Sequence, residues 1–268
     1  MADCIFERVG NNYVATTLAR GPWDPQACHG GAPAALLAAA VDATPSLVAM
    51  QGVRLSYDLL RPVPISRPLA MDVTVLREGK RVQVVEATLV TVDGLELVRC
   101  RALRVRTTHL GLPEDRPRED PPPDPGPERL ARFEGLAAWE RDGFWRAVDV
   151  RFVEGMLGRA GRGIAWFRVV APLTDADEAE GPRLTPLARA AAAADFGNGI
   201  GAPLPMGPFQ YVNPDLTVHL HRLPDDGWVA MSSRSVPDPS GIGMTTSTLF
   251  DRSGQIGGAF QSLFLATG

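Results

Sequence analysis

Two stretches of this chain follow one plan, an almost wholly apolar helix and then a series of strand-like segments, and the landmarks inside them keep their spacing. Arg61, followed by proline, matches Arg222 at an offset of 161 residues, and LVTVDG at 89–94 matches LFDRSG at 249–254 at an offset of 160. Aligning Pro33 with Pro186 sets the two helices 153 residues apart. Order and spacing together argue for an internal repeat. They predict an α+β fold of two tandem units, each a long buried helix laid across an antiparallel β-sheet. Sheets of this kind have edges, and pairing the units edge to edge would bury one edge from each.

The helices carry the strongest local signals. The first, GAPAALLAAAVDA at 31–43, is Ala/Leu-rich nearly all round, has Pro33 near its start and ends before Pro45. The second opens at Thr185 and Pro186, an N-cap residue followed by proline at the first helical position. From Leu187 to Ala194 its only polar residue is Arg189, so it lacks the polar face of a surface helix and is expected to be wrapped by other elements. Gly197 and Gly199 are expected to stop it. That leaves a carboxylate, Asp195, in the last turn of an apolar helix. Such a group is a candidate general base, and the plainer alternative is a helix-end carboxylate that reaches solvent.

Around the helices the reading is mostly strand. Tyr13 to Ala19 reads as a first strand, and the Gly/Pro-rich loop GPWDPQACHGG leads from it to the first helix. Runs at 53–63, 69–79, 81–94 and 95–105 are rich in β-branched residues and punctuated by RP, EGK and DG turns. Seven prolines between Pro113 and Pro127 then mark an extended, solvated linker, and ERLARFEGLAAWER after it reads as a short helix. Further strands are expected in VDVRFVE, in IAWFRVV and over 215–222, 228–238, 243–254 and 255–266. The expected division is residues 1–108 for the first unit, 109–143 for the linker and short helix, and 144–268 for the second unit.

Composition excludes several classes of function. A net charge of -4 without Lys/Arg runs argues against nucleic acid or an anionic membrane surface as main partner. With no signal-like start and no apolar run of spanning length, membrane insertion is not expected and the chain reads as cytoplasmic. Cys4, Cys28 and Cys100 show no CxxC spacing, so no disulfide framework, structural metal or cofactor is expected. His219 and His221 share a strand face, but only Asp215 on the same strand could join them as a ligand. Cys28 beside His29 reads as chance, because adjacent residues rarely present their side chains to each other. There is no G-x-S-x-G elbow, and GNGIGAP lacks the last glycine of a dinucleotide fingerprint.

Six stretches in order then carry a likeness: HGG at 29–31, LSYDLLRPV, VTVLREGKRVQVVEATL, AADFGNG around Asp195, NPDLTVHLHR at 213–222, and GGAFQSLFL around Gln261. Over nearly its whole length the chain resembles the double-hotdog acyl-CoA thioesterases of the thioesterase II type. The resemblance implies hydrolysis of a fatty acyl or related acyl-CoA to free acid and CoA, by water that gives its proton to Asp195 and is held by Gln261. The family's hydroxyl residue falls on Asn213, with Thr217 as a substitute. His29, Gly30 and Gly31, just ahead of the first helix, are the candidates for holding the substrate and polarising its carbonyl through backbone N–H groups.

One residue reading stands beside that resemblance. Gln261 shares a strand face with Ala259, Leu263 and Leu265, so its amide should be buried and should need a partner, Asp195 or backbone groups. The equivalent position in the first unit, at an offset of 160, is Arg101, so one working site is expected. The partner expected is an acyl-CoA substrate, and a monomer and a homodimer are both compatible. Two other functions fit the same fold: a non-catalytic acyl-CoA or lipid-binding protein, and a hydratase or dehydratase. The last is disfavoured because no histidine follows Asp195 before His219.

Overall fold

The computed structural model describes residues 4–134, 143–175 and 184–267. The first half contributes β1 (Phe6–Val9), β2 (Asn12–Ala15), helix α1 (Gly31–Ala43), β3 (Met50–Leu59), β4 (Pro68–Arg77), β5 (Val82–Thr91) and β6 (Glu96–Arg106). The second contributes the single turn α2 (Phe144–Ala147), β7 (Val148–Glu154), β8 (Gly163–Val169), α3 (Pro186–Ala194), the turn α4 (Gly197–Ile200), β9 (Phe209–Val212), β10 (Asp215–Leu220), β11 (Val229–Pro237), β12 (Ile242–Asp251) and β13 (Gly254–Thr267).

The strands join into one sheet in the order β1-β2-β4-β5-β6-β3-β10-β13-β12-β11-β8-β7, with β9 paired to β13. The order β4-β5-β6-β3 is mirrored by β10-β13-β12-β11. At the junction β3 and β10 run antiparallel, with Ser56 opposite Thr217 and Leu55 opposite Val218. Each half thereby covers an edge that would otherwise expose a row of unpaired backbone groups.

Both helices lie on the same side of this sheet and pack against each other. Every residue of α1 from Gly31 to Val41 is buried, and a single hydrophobic cluster runs through α1, α3 and the inward side chains of both halves, Leu55, Cys100, Leu216 and Val218 among them. The all-apolar composition of the helices follows from this position, since neither has a face in water. Thr185 caps α3 by accepting a hydrogen bond from the Ala188 N–H at 3.2 Å. The hydroxyl of Tyr57 on β3 donates to the Ala34 carbonyl at 2.9 Å and ties α1 to the sheet.

Four local expectations need correction. Tyr13–Ala19 is the end of a two-stranded hairpin followed by a 3-10 turn at Thr17–Ala19. Gly197 and Gly199 do not end the second helix; the chain turns at Asp195 and Phe196 and resumes as α4. Gly197 is there for space, since a Cβ would stand 2.7 Å from Gln261 Oε1 and 2.8 Å from Ser247 Oγ. The proline-rich segment is held against the second half: the Asp120 carbonyl accepts from Gln255 N–H at 2.9 Å and the Pro125 carbonyl from Trp166 Nε1 at 3.2 Å. Of the expected short helix at 128–141, a 3-10 turn covers Pro127–Arg129 and residues 130–134 are irregular, while the rest lies outside the described residues.

Arg101 is not the counterpart of Gln261. It is exposed on the outer face and paired with Glu86, whereas the inward positions of β6 are Cys100 and Ala102. Strand pairing shifts the landmark alignment by one residue there, which turns a side chain to the opposite face. Among the described residues no helix is long and apolar enough to cross a membrane.

Candidate active site

The C-terminal end of α3 meets the N-terminal end of α1 at the wall of a cavity of about 460 Å³. His29, Gly30, Asp195, Asn198 and Asn213 give this cavity its polar groups, and Trp23, Pro33, Leu59, Val63, Val98 and Phe264 give it apolar walls. A pocket of this size, mostly apolar with a few convergent polar groups, is the usual form of a small-molecule site.

Asp195 is the C-cap residue of α3 and only 5% exposed. Its Oδ1 accepts from Asn213 Nδ2 at 3.0 Å, and its Oδ2 lies 3.0 Å from His29 Nδ1. It therefore does not reach solvent as a simple helix-end carboxylate would. Gly30, the N-cap of α1, presses on it from the other helix, with no room for a side chain between them. The negative end of one helix dipole and the positive end of another act on the same carboxylate in opposite senses.

The other predicted residues take distinct positions. Asn213 sits between β9 and β10 with its carboxamide fully engaged: Nδ2 donates to Asp195 Oδ1 and to the Asp215 carbonyl at 3.2 Å, and Oδ1 accepts from Asn198 Nδ2 at 3.2 Å. Gln261 is sealed in the core but does not touch the Asp195 carboxylate. Its Oε1 accepts from the Asn198 N–H at 3.0 Å and its Nε2 donates to the Asp195 carbonyl at 3.4 Å, so it braces the backbone between α3 and α4. Thr217 is not brought to the site. It stands on β10 between Leu216 and Val218, which point to the helices, so its side chain faces the opposite side of the sheet. Asn213 precedes the strand, and the alternation that would have put both residues on one face does not extend to it.

Gly31 packs behind Gly30 against the Ala192 carbonyl and Phe144, and its N–H lies 3.1 Å from His29 Nδ1. One nitrogen cannot both accept from Gly31 and donate to Asp195. We assign the proton to Nδ1, because an unprotonated Nδ1 would set its lone pair against a carboxylate oxygen whose partner oxygen already accepts from Asn213.

The contact of His29 with Asp195 is what sequence reasoning missed. It joins residues 166 positions apart and depends on how the two units dock, for which no local motif speaks. It also removes the ground on which a hydratase was disfavoured, since a histidine does reach Asp195 from the other unit. Cys28 lines the cavity too, but burial pushes its thiol far above the ordinary range and leaves it un-ionised. His221 pairs with Glu119 at 3.6 Å, and among the described residues no group of three or more His, Cys, Asp or Glu side chains is arranged to hold a metal.

Solved structures share this architecture. A conserved protein of unknown function with hot dog fold from Alicyclobacillus acidocaldarius is 15% identical, with 98% of this chain and 96% of that one covered at a TM-score of 0.71. An acyl-CoA thioesterase II from Mycobacterium marinum is 17% identical over 98% and 96% of the two chains at 0.66, and a tesB protein from Mycobacterium avium subs paratuberculosis is 21% identical over 97% and 95% at 0.60. The chain is thus an α+β protein of hotdog fold. Residues 19–106 match the family profile of the acyl-CoA thioesterase N-terminal domain, and residues 113–265 match that of the acyl-CoA thioesterase C-terminal domain. The chain belongs to the acyl-CoA thioesterase family and is a thioester hydrolase. No curated protein matches it by sequence.

Proposed function

We propose that the two repeat units form a double hotdog, divided at 1–108, 109–143 and 144–268, that hydrolyses a fatty acyl-CoA or related acyl-CoA in the Asp195 cavity. The observation that carries this reading is a carboxylate only 5% exposed, fixed through both oxygens, at the wall of a largely apolar cavity. The apolar walls suit an acyl chain. The carboxylate supplies the negative charge that draws a proton from an attacking water, and backbone N–H at the start of α1 together with the Asn198 carboxamide can meet the carbonyl oxygen as it becomes an oxyanion. Collapse of that intermediate reforms the carbonyl, breaks the C–S bond and releases the thiol. In this reading Asn213 orients Asp195, and Gln261 is a positioning residue with no direct role toward the water.

Release of free thiol from a panel of acyl-CoA chain lengths tests the reading, with Asp195→Asn and Gln261→Ala beside the native chain. Turnover that falls by about 10² to 10⁴ in Asp195→Asn is expected, the usual worth of the carboxylate on which a general acid–base step depends. A silent native chain whose melting temperature still rises with acyl-CoA would favour the non-catalytic binding protein.

A further inference from the structure

We propose that His29 is the group that carries the proton in this hydrolysis, with Asp195 as its orienting and charge-balancing partner; the inference rests on the reading of the Asp195 cavity as the place of thioester cleavage. The geometry is that of a base held by a carboxylate. His29 Nδ1 lies 3.0 Å from Asp195 Oδ2 and 3.1 Å from the Gly31 nitrogen, and with the proton assigned to Nδ1 the carboxylate holds the ring. The side chain packs against the rings of Phe144 and Phe196, at centroid distances of 5.1 and 4.4 Å, and these limit its rotation. Nε2 is then the polar atom left over. Among the described residues it has no hydrogen-bond partner, and it is not one of the sealed polar atoms without one.

Exposure divides the two roles. Of the pair, the imidazole is the more open, at 10% against 4% for the carboxylate side chain, and both line the cavity. A water in the cavity therefore has Nε2 within reach, whereas both Asp195 oxygens already have protein partners. The other titratable groups near the pair do not compete for the proton. Burial keeps the Cys28 thiol and the Tyr57 phenol protonated, and Asp24 and Arg61 line the cavity without a hydrogen bond or ion pair to either partner.

The cycle closes in protons and electrons. Water attacks the thioester carbon, its proton passes to Nε2, and the carbonyl π pair moves onto oxygen. The imidazolium so formed is balanced by the Asp195 carboxylate. As the carbonyl reforms, the C–S bond breaks, sulfur leaves with the electron pair and takes the proton from Nε2, and His29 returns to its starting tautomer.

Two measurements test this. His29→Gln should keep KM within a few-fold and lose about 100-fold or more in kcat, the lower range for a general base. His29→Ala should recover part of the rate on addition of imidazole. Independently of any variant's folding or activity, ¹⁵N-histidine NMR of the native chain should place the His29 proton on Nδ1. If His29→Gln keeps kcat within about threefold while Asp195→Asn is inactive, Asp195 is itself the base and the proposal fails while the hydrolase reading stands. A His29 found as the Nε2–H tautomer overturns it as well. A native chain that releases no thiol from any acyl-CoA ends the underlying reading and this one with it.

Discussion

A Cβ on Gly30 would stand 2.8 Å from Oδ2 and 3.0 Å from Oδ1 of Asp195. The backbone at Gly30 is in the ordinary right-handed region, so glycine is needed there for space and not for conformation. Gly30→Ala should push the carboxylate away from Asn213 and His29 while leaving the helices in place. Thiol release should fall by about tenfold to a hundredfold, the scale of a displacement near 1 Å at a reacting group, with a small change in melting temperature. Native kcat in Gly30→Ala would show that the position of Asp195 does not set the rate.

Gln261 acts on the same carboxylate through the backbone. Its removal in Gln261→Ala leaves the buried Asn198 N–H and Asp195 carbonyl each without a partner. A loss of about 1–3 kcal/mol per unsatisfied group is expected in urea unfolding. Activity should fall with stability, and KM should change less than kcat. A variant as stable as the native chain would contradict the bracing role.

How far the sequence reached follows from the range of each contact. The helices at 31–43 and 186–194, the four strands after the first and four of the five after the second were legible, because periodicity, capping and turn residues are local signals. The pairing of β3 with β10 could be anticipated from edge economy. Facing was harder. Thr217 was placed at the site by an alternation carried past the strand end, and Arg101 was aligned with Gln261 by an offset one residue off; in a strand one residue is a change of face. Contacts between units, His29 with Asp195 above all, left no trace in spacing because each partner's local sequence is complete without the other.

Asn213 and Thr217 separate these cases experimentally. Asn213 donates to Asp195, and Thr217 looks away from it. Asn213→Ala should cost roughly tenfold or more in kcat, through a carboxylate left with one fewer charge-assisted hydrogen bond. Thr217→Val should leave turnover within about twofold, as expected of a side chain remote from the reacting groups. The reverse order of effects would restore Thr217 to the site.

Cys28 lines the cavity as a thiol that burial keeps protonated. A thiolate is the reactive form, so this cysteine should resist alkylation at pH 8 in the native state and react once the chain is unfolded. Cys28→Ala should hydrolyse acyl-CoA at close to the native rate. Inactivation of the native chain by one equivalent of alkylating agent at Cys28, with loss of turnover in Cys28→Ala, would instead point to a covalent route.

The Arg222–Asp251 pair gives the chain a defined acid limit. Asp251 is fully buried at the β12–β13 turn; it accepts from both terminal nitrogens of Arg222, from Asp225 N–H at 3.0 Å and from Ser253 N–H at 2.8 Å. Burial alone would raise its carboxyl, but Arg222 and the two N–H groups outweigh burial and hold it below the ordinary range. A carboxylate depressed in the folded state adds stability that is complete above its unfolded pKa, about 3.9, and is lost as pH falls through the lower folded value. The first unit keeps the arginine but not the charge pair: Arg61 donates to the Glu96 carbonyl at 2.7 Å, and Thr91 stands where Asp251 would. The effect should therefore reside in the second unit. Asp251→Asn is expected to cost about 3–5 kcal/mol at pH 7, the cost of leaving one partner of a buried pair alone, and its deficit against the native chain should shrink below about pH 4. A deficit that stays constant from pH 7 to about pH 3 in urea unfolding would mean that the charge on Asp251 contributes nothing and that only its shape is needed.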